Sequence, residues 1–138
     1  MSNEQTAIAP EAIRYHRRSK MLEVAFPGET HELTAEYLRV YSPSAEVRGH
    51  GAGERVLQTG KKHVAITDIE PIGNYAVRLQ FDDGHDTGLY SWEHLLDLGR
   101  NRDRYWQDYL RELKTANASR LPNIASMGIG HWQPVEDP

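Results

Sequence analysis

The stretch FDDGHDTGLYSWEHL, residues 81–95, decides how this chain folds. Phe81 ends an alternating run from Tyr75, the pattern of a half-buried strand. Asp82-Asp83-Gly84 follows as a turn, since aspartate bonds nearby backbone and glycine accepts a positive φ. Ser91 then offers an N-cap hydroxyl and Glu93 places negative charge in the first helical turn. Strand, turn and capped helix follow in close succession. With those residues assigned, only His85, Asp86 and His94 remain for chemistry. Neighbouring strand positions send His85 and Asp86 to opposite faces, and His94 is expected on the helix surface.

Working outward, Val64–Ile69 and Tyr75–Phe81 alternate around Pro71-Ile72-Gly73-Asn74 and predict a hairpin. Upstream, Ile13–His16 and Leu22–Phe26 predict another, joined by Arg17–Lys20. Pro27-Gly28-Glu29 turns the chain into a short helix, with Thr34 as N-cap, Glu36 in the first turn and Leu33 stapled to Leu38. VAFPGETHELTAEYL (24–38) and LQFDDGHDTGLYSWEHL (79–95) share an aromatic strand end, a glycine turn, a histidine, a cap and a glutamate, which suggests an internal duplication. Gly99 is expected to break the second helix. Arg102–Lys114 then sets Tyr105, Trp106, Tyr109, Leu110 and Leu113 on one helical stripe.

The expected fold is α+β: antiparallel strands from two hairpins, two short capped helices and a longer C-terminal amphipathic helix. Residues 11–116 form the single domain, with 1–10 a flexible tail and 117–138 a second tail. Ile124, Met127, Ile129 and Trp132 make that second tail apolar enough to dock. Ser42–Gly60 has no clear period and is the expected binding loop.

Composition excludes several chemistries. There are no cysteines, so disulfides and thiolate sites are absent, and any metal would rest on His, Asp and Glu. No apolar run approaches the roughly 20 residues of a membrane helix, so a soluble cytoplasmic protein without a membrane partner is expected. A net charge of -4 gives no global footprint for a polyanion; the hairpin cations Arg14, Arg17, Arg18 and Lys20 leave nucleic acid last among partners. No phosphate loop, nucleophile elbow or HExxH appears. Ser42 and Ser44 flank Pro43 with no base beside them and are read as turn formers. No catalytic residue is assigned, and the chain is not expected to be an enzyme; a small enzyme whose catalytic partners are distant in sequence is the remote alternative.

LTAEYLRVYSPSAEVRGHG (33–51) with ITDIEPIGNYAVRLQFDDGHDTGLYSWEHLLDLG (66–99) resembles the gamma-butyrobetaine hydroxylase-like N-terminal domain family, small α+β modules found alone in bacteria. The likeness spans about residues 11 to 114. In carnitine-pathway hydroxylases such a module precedes an iron-dependent oxygenase domain, and others are fused to P-loop ATPases carrying iron-sulfur clusters. The hydroxylase module holds zinc on three cysteines and a histidine. The resemblance implies that Ser42, Ser44 and Val47 occupy the cysteine positions and His85 that of the histidine. Serine and valine supply no thiolate, so zinc or iron would rest on His85 with His50, Asp86 or His31. The resemblance thus implies a non-catalytic accessory domain linked to iron-sulfur or metal handling. Its partner would be another protein, an iron-sulfur carrier or assembly factor, met through Arg48, His50, Tyr90 and Trp92.

Overall fold

The computed structural model describes residues 8–48 and 55–122. Strands β1 (Ala12–His16), β2 (Met21–Phe26) and β3 (Glu29–Thr34) form one antiparallel sheet in that order, followed by α1 (Ala35–Val40) and a single turn, α2 (Ala45–Arg48). Strands β4 (Ile66–Ile72), β5 (Ala76–Phe81) and β6 (Gly88–Ser91) form the second sheet, followed by α3 (Trp92–Arg100) and α4 (Arg102–Thr115). The α+β class stands, with a third strand added to each hairpin. Those strands escape a hydrophobic reading for a physical reason. In β3 only Leu33 is buried, and β6 is four residues long and runs straight into a helix cap. Short edge strands need little apolar surface.

The two halves repeat one plan of three strands and a capped helix, as the sequence comparison suggested. Gly28 at φ +83° and Gly84 at φ +91° occupy matching turns. Phe26 packs edge-on against His31 at 6.4 Å, and Phe81 packs tilted against His85 at 6.0 Å. Thr34 Oγ1 accepts the Tyr37 N–H at 3.0 Å, and Ser91 Oγ accepts the His94 N–H at 3.1 Å. Both caps satisfy orphan donors of a helix start.

The sheets meet in one core. Register pairs Tyr15 with Leu22 and Leu22 with Leu33 in one sheet, and Val77 with Tyr90 in the other. Their inward side chains join Leu38, Leu95 and Leu98 from the helices. Outward, Arg14 pairs with Glu23 at 3.2 Å and Arg78 with Glu70 at 2.7 Å, a solvated face for each sheet. Gly99 lies inside α3 rather than ending it. A Cβ there would stand 2.4 Å from His31 Cγ, so the glycine permits close approach of α3 to β3. The helix ends at Asn101, whose Nδ2 donates to the Asp97 carbonyl at 3.1 Å.

Helix α4 closes a second apolar cluster with Val40, Tyr109 and Leu113, flanked by Leu57 and Ala118. Of the expected tail, residues 117–122 are described and lie against the body. The Gly60 N–H donates to the Ser119 carbonyl at 2.9 Å and that of Lys62 to Arg120 at 3.0 Å. The Arg120 guanidinium grips both oxygens of buried Glu36 at 2.8 and 2.7 Å and stacks over Trp106. Among the described residues no helix is long and apolar enough to cross a membrane.

Candidate functional site

Of the residues the sequence singled out around position 85, His85 meets the segment that leads into α2. Helix α1 ends at Tyr41, and Ser42-Pro43-Ser44 leads into α2, so both serines face the turn between β5 and β6. Gly88 makes the room: a Cβ on it would sit 2.5 Å from Ser42 Oγ. Ser42 Oγ lies 2.8 Å from His85 Nε2, and His85 Nδ1 lies 2.9 Å from Glu46 Oε1. Ser42 Oγ also accepts the Ser44 N–H at 3.2 Å, Ser44 Oγ accepts the Glu46 N–H at 3.2 Å, and the Ser44 and Thr87 hydroxyls are 2.6 Å apart. The serines do form turns, as expected, and also belong to a longer chain of hydrogen bonds that their spacing in sequence did not reveal.

The order serine, histidine, glutamate is that of a hydrolytic triad, whose partners are recognised by geometry rather than sequence position. The exposure is inverted. Ser42 is 2% exposed and His85 5%, whereas the Glu46 side chain is 66% exposed. A nucleophile must reach substrate, and its orienting acid is ordinarily the buried member.

A second polar group adjoins the first. Asp83 Oδ2 receives Arg39 Nε at 2.8 Å and Lys61 Nζ at 2.6 Å, and its Oδ1 accepts the His85 N–H at 3.1 Å. Burial alone would raise the Asp83 carboxyl, but the hydrogen bonds from Lys61 and the His85 amide, with the Arg39 charge, hold it at about 2. Burial lowers His85 below the ordinary histidine value, the Arg39 charge lowers it further, and Glu46 pulls the other way. Among the described residues, one guanidinium nitrogen of Arg39, a residue 8% exposed, has no hydrogen-bond partner.

The loop's two ends are tied together. The Val56 N–H donates to the Val47 carbonyl at 2.5 Å, and Arg55 reaches Glu112 at 2.5 Å while lying over the Tyr41 ring. Arg48 is exposed at the end of α2 and lines a cleft of about 360 Å³ with Pro43, Leu89, Ser91, His94 and Asp97. His94, expected at the surface, is half-buried and within 2.9 Å of the Tyr41 carbonyl. Burial lowers its pKa, with the Arg48 charge acting in the same direction.

The other expected contact residues separate. Tyr90 is 0% exposed and its hydroxyl donates to the Leu38 carbonyl at 2.5 Å, so it belongs to the core and is not available to a partner. It alternates with exposed Leu89, and the strand carrying both had not been recognised. Trp92 is half-buried, with its indole N–H donating to the Asn74 carbonyl at 2.7 Å. His50 lies outside the described residues. For metal, His85 and Glu46 are adjacent, but His31 is held instead by Glu29 at 2.8 Å and Asp86 faces solvent. Among the described residues no three of His, Asp and Glu converge. Zinc does not fit the positions implied by the resemblance. Structural zinc takes four nitrogen or sulfur donors, and these positions offer two neutral hydroxyls, the buried methyls of Val47 and an imidazole with both nitrogens engaged.

Comparison with known proteins places this geometry in a family. A chain known from a solution structure is 47% identical, with a TM-score of 0.76 over 86% of this chain and 94% of the other. A second solution structure is 50% identical, with a TM-score of 0.75 over 90% and 93%. A crystal structure of a protein of unknown function from Acidithiobacillus ferrooxidans, of the DUF971 family, is 41% identical, with a TM-score of 0.55 over 65% of this chain and 91% of that one. No functionally curated protein matches the chain. Residues 13–96 match the family model for the gamma-butyrobetaine hydroxylase-like N-terminal domain, and the chain belongs to that family.

Proposed function

We propose that this chain is a non-catalytic protein-binding module whose working surface is the base of the Ser42–Gly60 segment with the adjoining cleft of Arg48, Leu89 and His94. The observation that supports this reading is the inverted exposure of Ser42, His85 and Glu46. A hydroxyl packed against Gly88 and already accepting a backbone N–H is placed to hold the segment, not to attack a substrate. The hydrogen bond from Val56 to Val47 brings the chain on the two sides of residues 49–54 together next to Arg48. Arginine is among the residues enriched in binding hot spots, and Arg48 lines the cleft together with exposed Leu89.

The resemblance directs the choice of partner toward an iron-sulfur carrier or assembly factor in the cytoplasm, with any metal chemistry on the partner's side. Affinity capture at native abundance is expected to recover one specific protein with the wild type and to lose it with Arg48→Glu. Repeated recovery of none would overturn the reading. The non-catalytic half has its own test. A fluorophosphonate probe is expected to leave Ser42 unlabelled, and covalent labelling at Ser42 would make the chain an enzyme.

A further inference from the structure

We infer that the hydrogen-bonded chain from buried Ser44, Ser42 and His85 to exposed Glu46 is ordered proton by proton, with His85 held as the neutral Nδ1–H tautomer, and that this chain fastens the Ser42–Val47 segment to the β5–β6 turn where the family resemblance would put a zinc ion. The assignment follows from which groups can donate. Glu46 is well exposed, and an exposed carboxylate at neutral pH only accepts. The hydrogen between Glu46 Oε1 and His85 Nδ1, 2.9 Å apart, therefore sits on the nitrogen. A neutral imidazole with Nδ1 protonated has Nε2 as an acceptor. The Ser42 hydroxyl, 2.8 Å away, must donate to it, and the serine oxygen is left to accept the Ser44 N–H at 3.2 Å. Every member then gives and receives consistently, the condition under which a buried polar network stabilises.

The geometry around the chain blocks an exchange for metal. Ser42 Oγ is packed directly against Gly88, where an added Cβ would sit 2.5 Å from it. The His85 backbone is fixed from the other side by its N–H bond to Asp83 Oδ1, and Asp83 is in turn gripped by Arg39 and Lys61. To ligate an ion, His85 would have to release Ser42 or Glu46. The hydroxyls and Val47 that remain would not replace the lost bonds. The tautomer is thus a property of this chain's own side chains.

The test uses the full chain, labelled with ¹⁵N, at neutral pH. A long-range ¹H–¹⁵N correlation of the imidazoles is expected to show a protonated Nδ1 and an unprotonated Nε2 for His85, and one equivalent of zinc is expected to leave both resonances in place. Glu46→Ala, at an exposed position that does not threaten the fold, is expected to shift His85 toward the Nε2–H tautomer. Wild-type His85 with a protonated Nε2, or His85 resonances that move on adding zinc, would overturn the inference. So would a tautomer that ignores the loss of Glu46.

Discussion

Two glycines show how much of this molecule is settled by the space one methyl group would take. Gly99 sits within a helix, where alanine would ordinarily gain about 1 kcal/mol from propensity. Its Cβ would stand 2.4 Å from His31 Cγ and 2.9 Å from His31 Cβ, too near the backbone for a rotamer change to relieve. Gly99→Ala is therefore expected to destabilise by about 1–3 kcal/mol net, the cost of overpacking, measured by urea unfolding. In a His31→Gly background, which lacks both the ring and its Cβ, Gly99→Ala should cost little, and an undiminished loss there would show that the contact is not the cause. At Tyr90, replacement by Phe keeps the core filled and removes only the hydroxyl bonded to Leu38, for an expected loss of about 1 kcal/mol. The sequence showed Gly99 and Tyr90 as residues, yet read one as a helix end and the other as a contact. Neither close approach nor full burial has a local signature.

Among the elements, the capped helices were legible because a hydroxyl, an acidic first turn and an apolar residue lie within six positions of one another. Thr34→Ala and Ser91→Ala should each cost about 1 kcal/mol. The third strands were not legible. Strand β3 is built from ETHELT, whose polar groups are held by partners far away in sequence: the Glu29 carboxylate by Arg100 at 2.6 Å and the Glu32 backbone carbonyl by Arg102 at 2.8 Å. The docked segment after α4 depends on a similar long-range pair. Arg120→Ala would leave Glu36, only 5% exposed, as an uncompensated charge, at an expected cost of about 3 kcal/mol. Hydrogen exchange should then quicken at the amides of Gly60 and Lys62, which donate to Ser119 and Arg120. Unchanged exchange there would separate the ion pair from the docking.

For the whole molecule, charge is arranged so that acid loosens it in two stages. His94 is lowered by burial, so the unfolded chain binds the proton more tightly than the folded one. Its contribution is fully present above the unfolded value near 6.5 and declines as the pH falls below that. Glu29, hydrogen-bonded by Arg100 and His31, is lowered from 4.5 to about 2, and Asp83 from 3.8 to about 2. Their contribution is fully present above the unfolded values and is lost as the pH falls toward 2. Urea midpoints measured from pH 8 to 2 should therefore fall first below about 6.5 and more steeply below about 4.5. A flat profile between pH 8 and 5 in the wild type would contradict the burial of His94.

The sequence by itself determined the class of fold, the turns, the caps, the repeat of the two halves and the absence of thiolate chemistry, because each rests on residue types within a few positions of one another. Tertiary structure decided which polar residues meet. Ser42 and His85 are 43 positions apart, as are Ser44 and Thr87, and Glu36 and Arg120 are 84 apart. Nothing in local periodicity encodes such distances, since they are set by how two sheets share one core. Burial of Ser42 and Tyr90, which sets how far each hydroxyl is open to solvent, belongs to that packing alone.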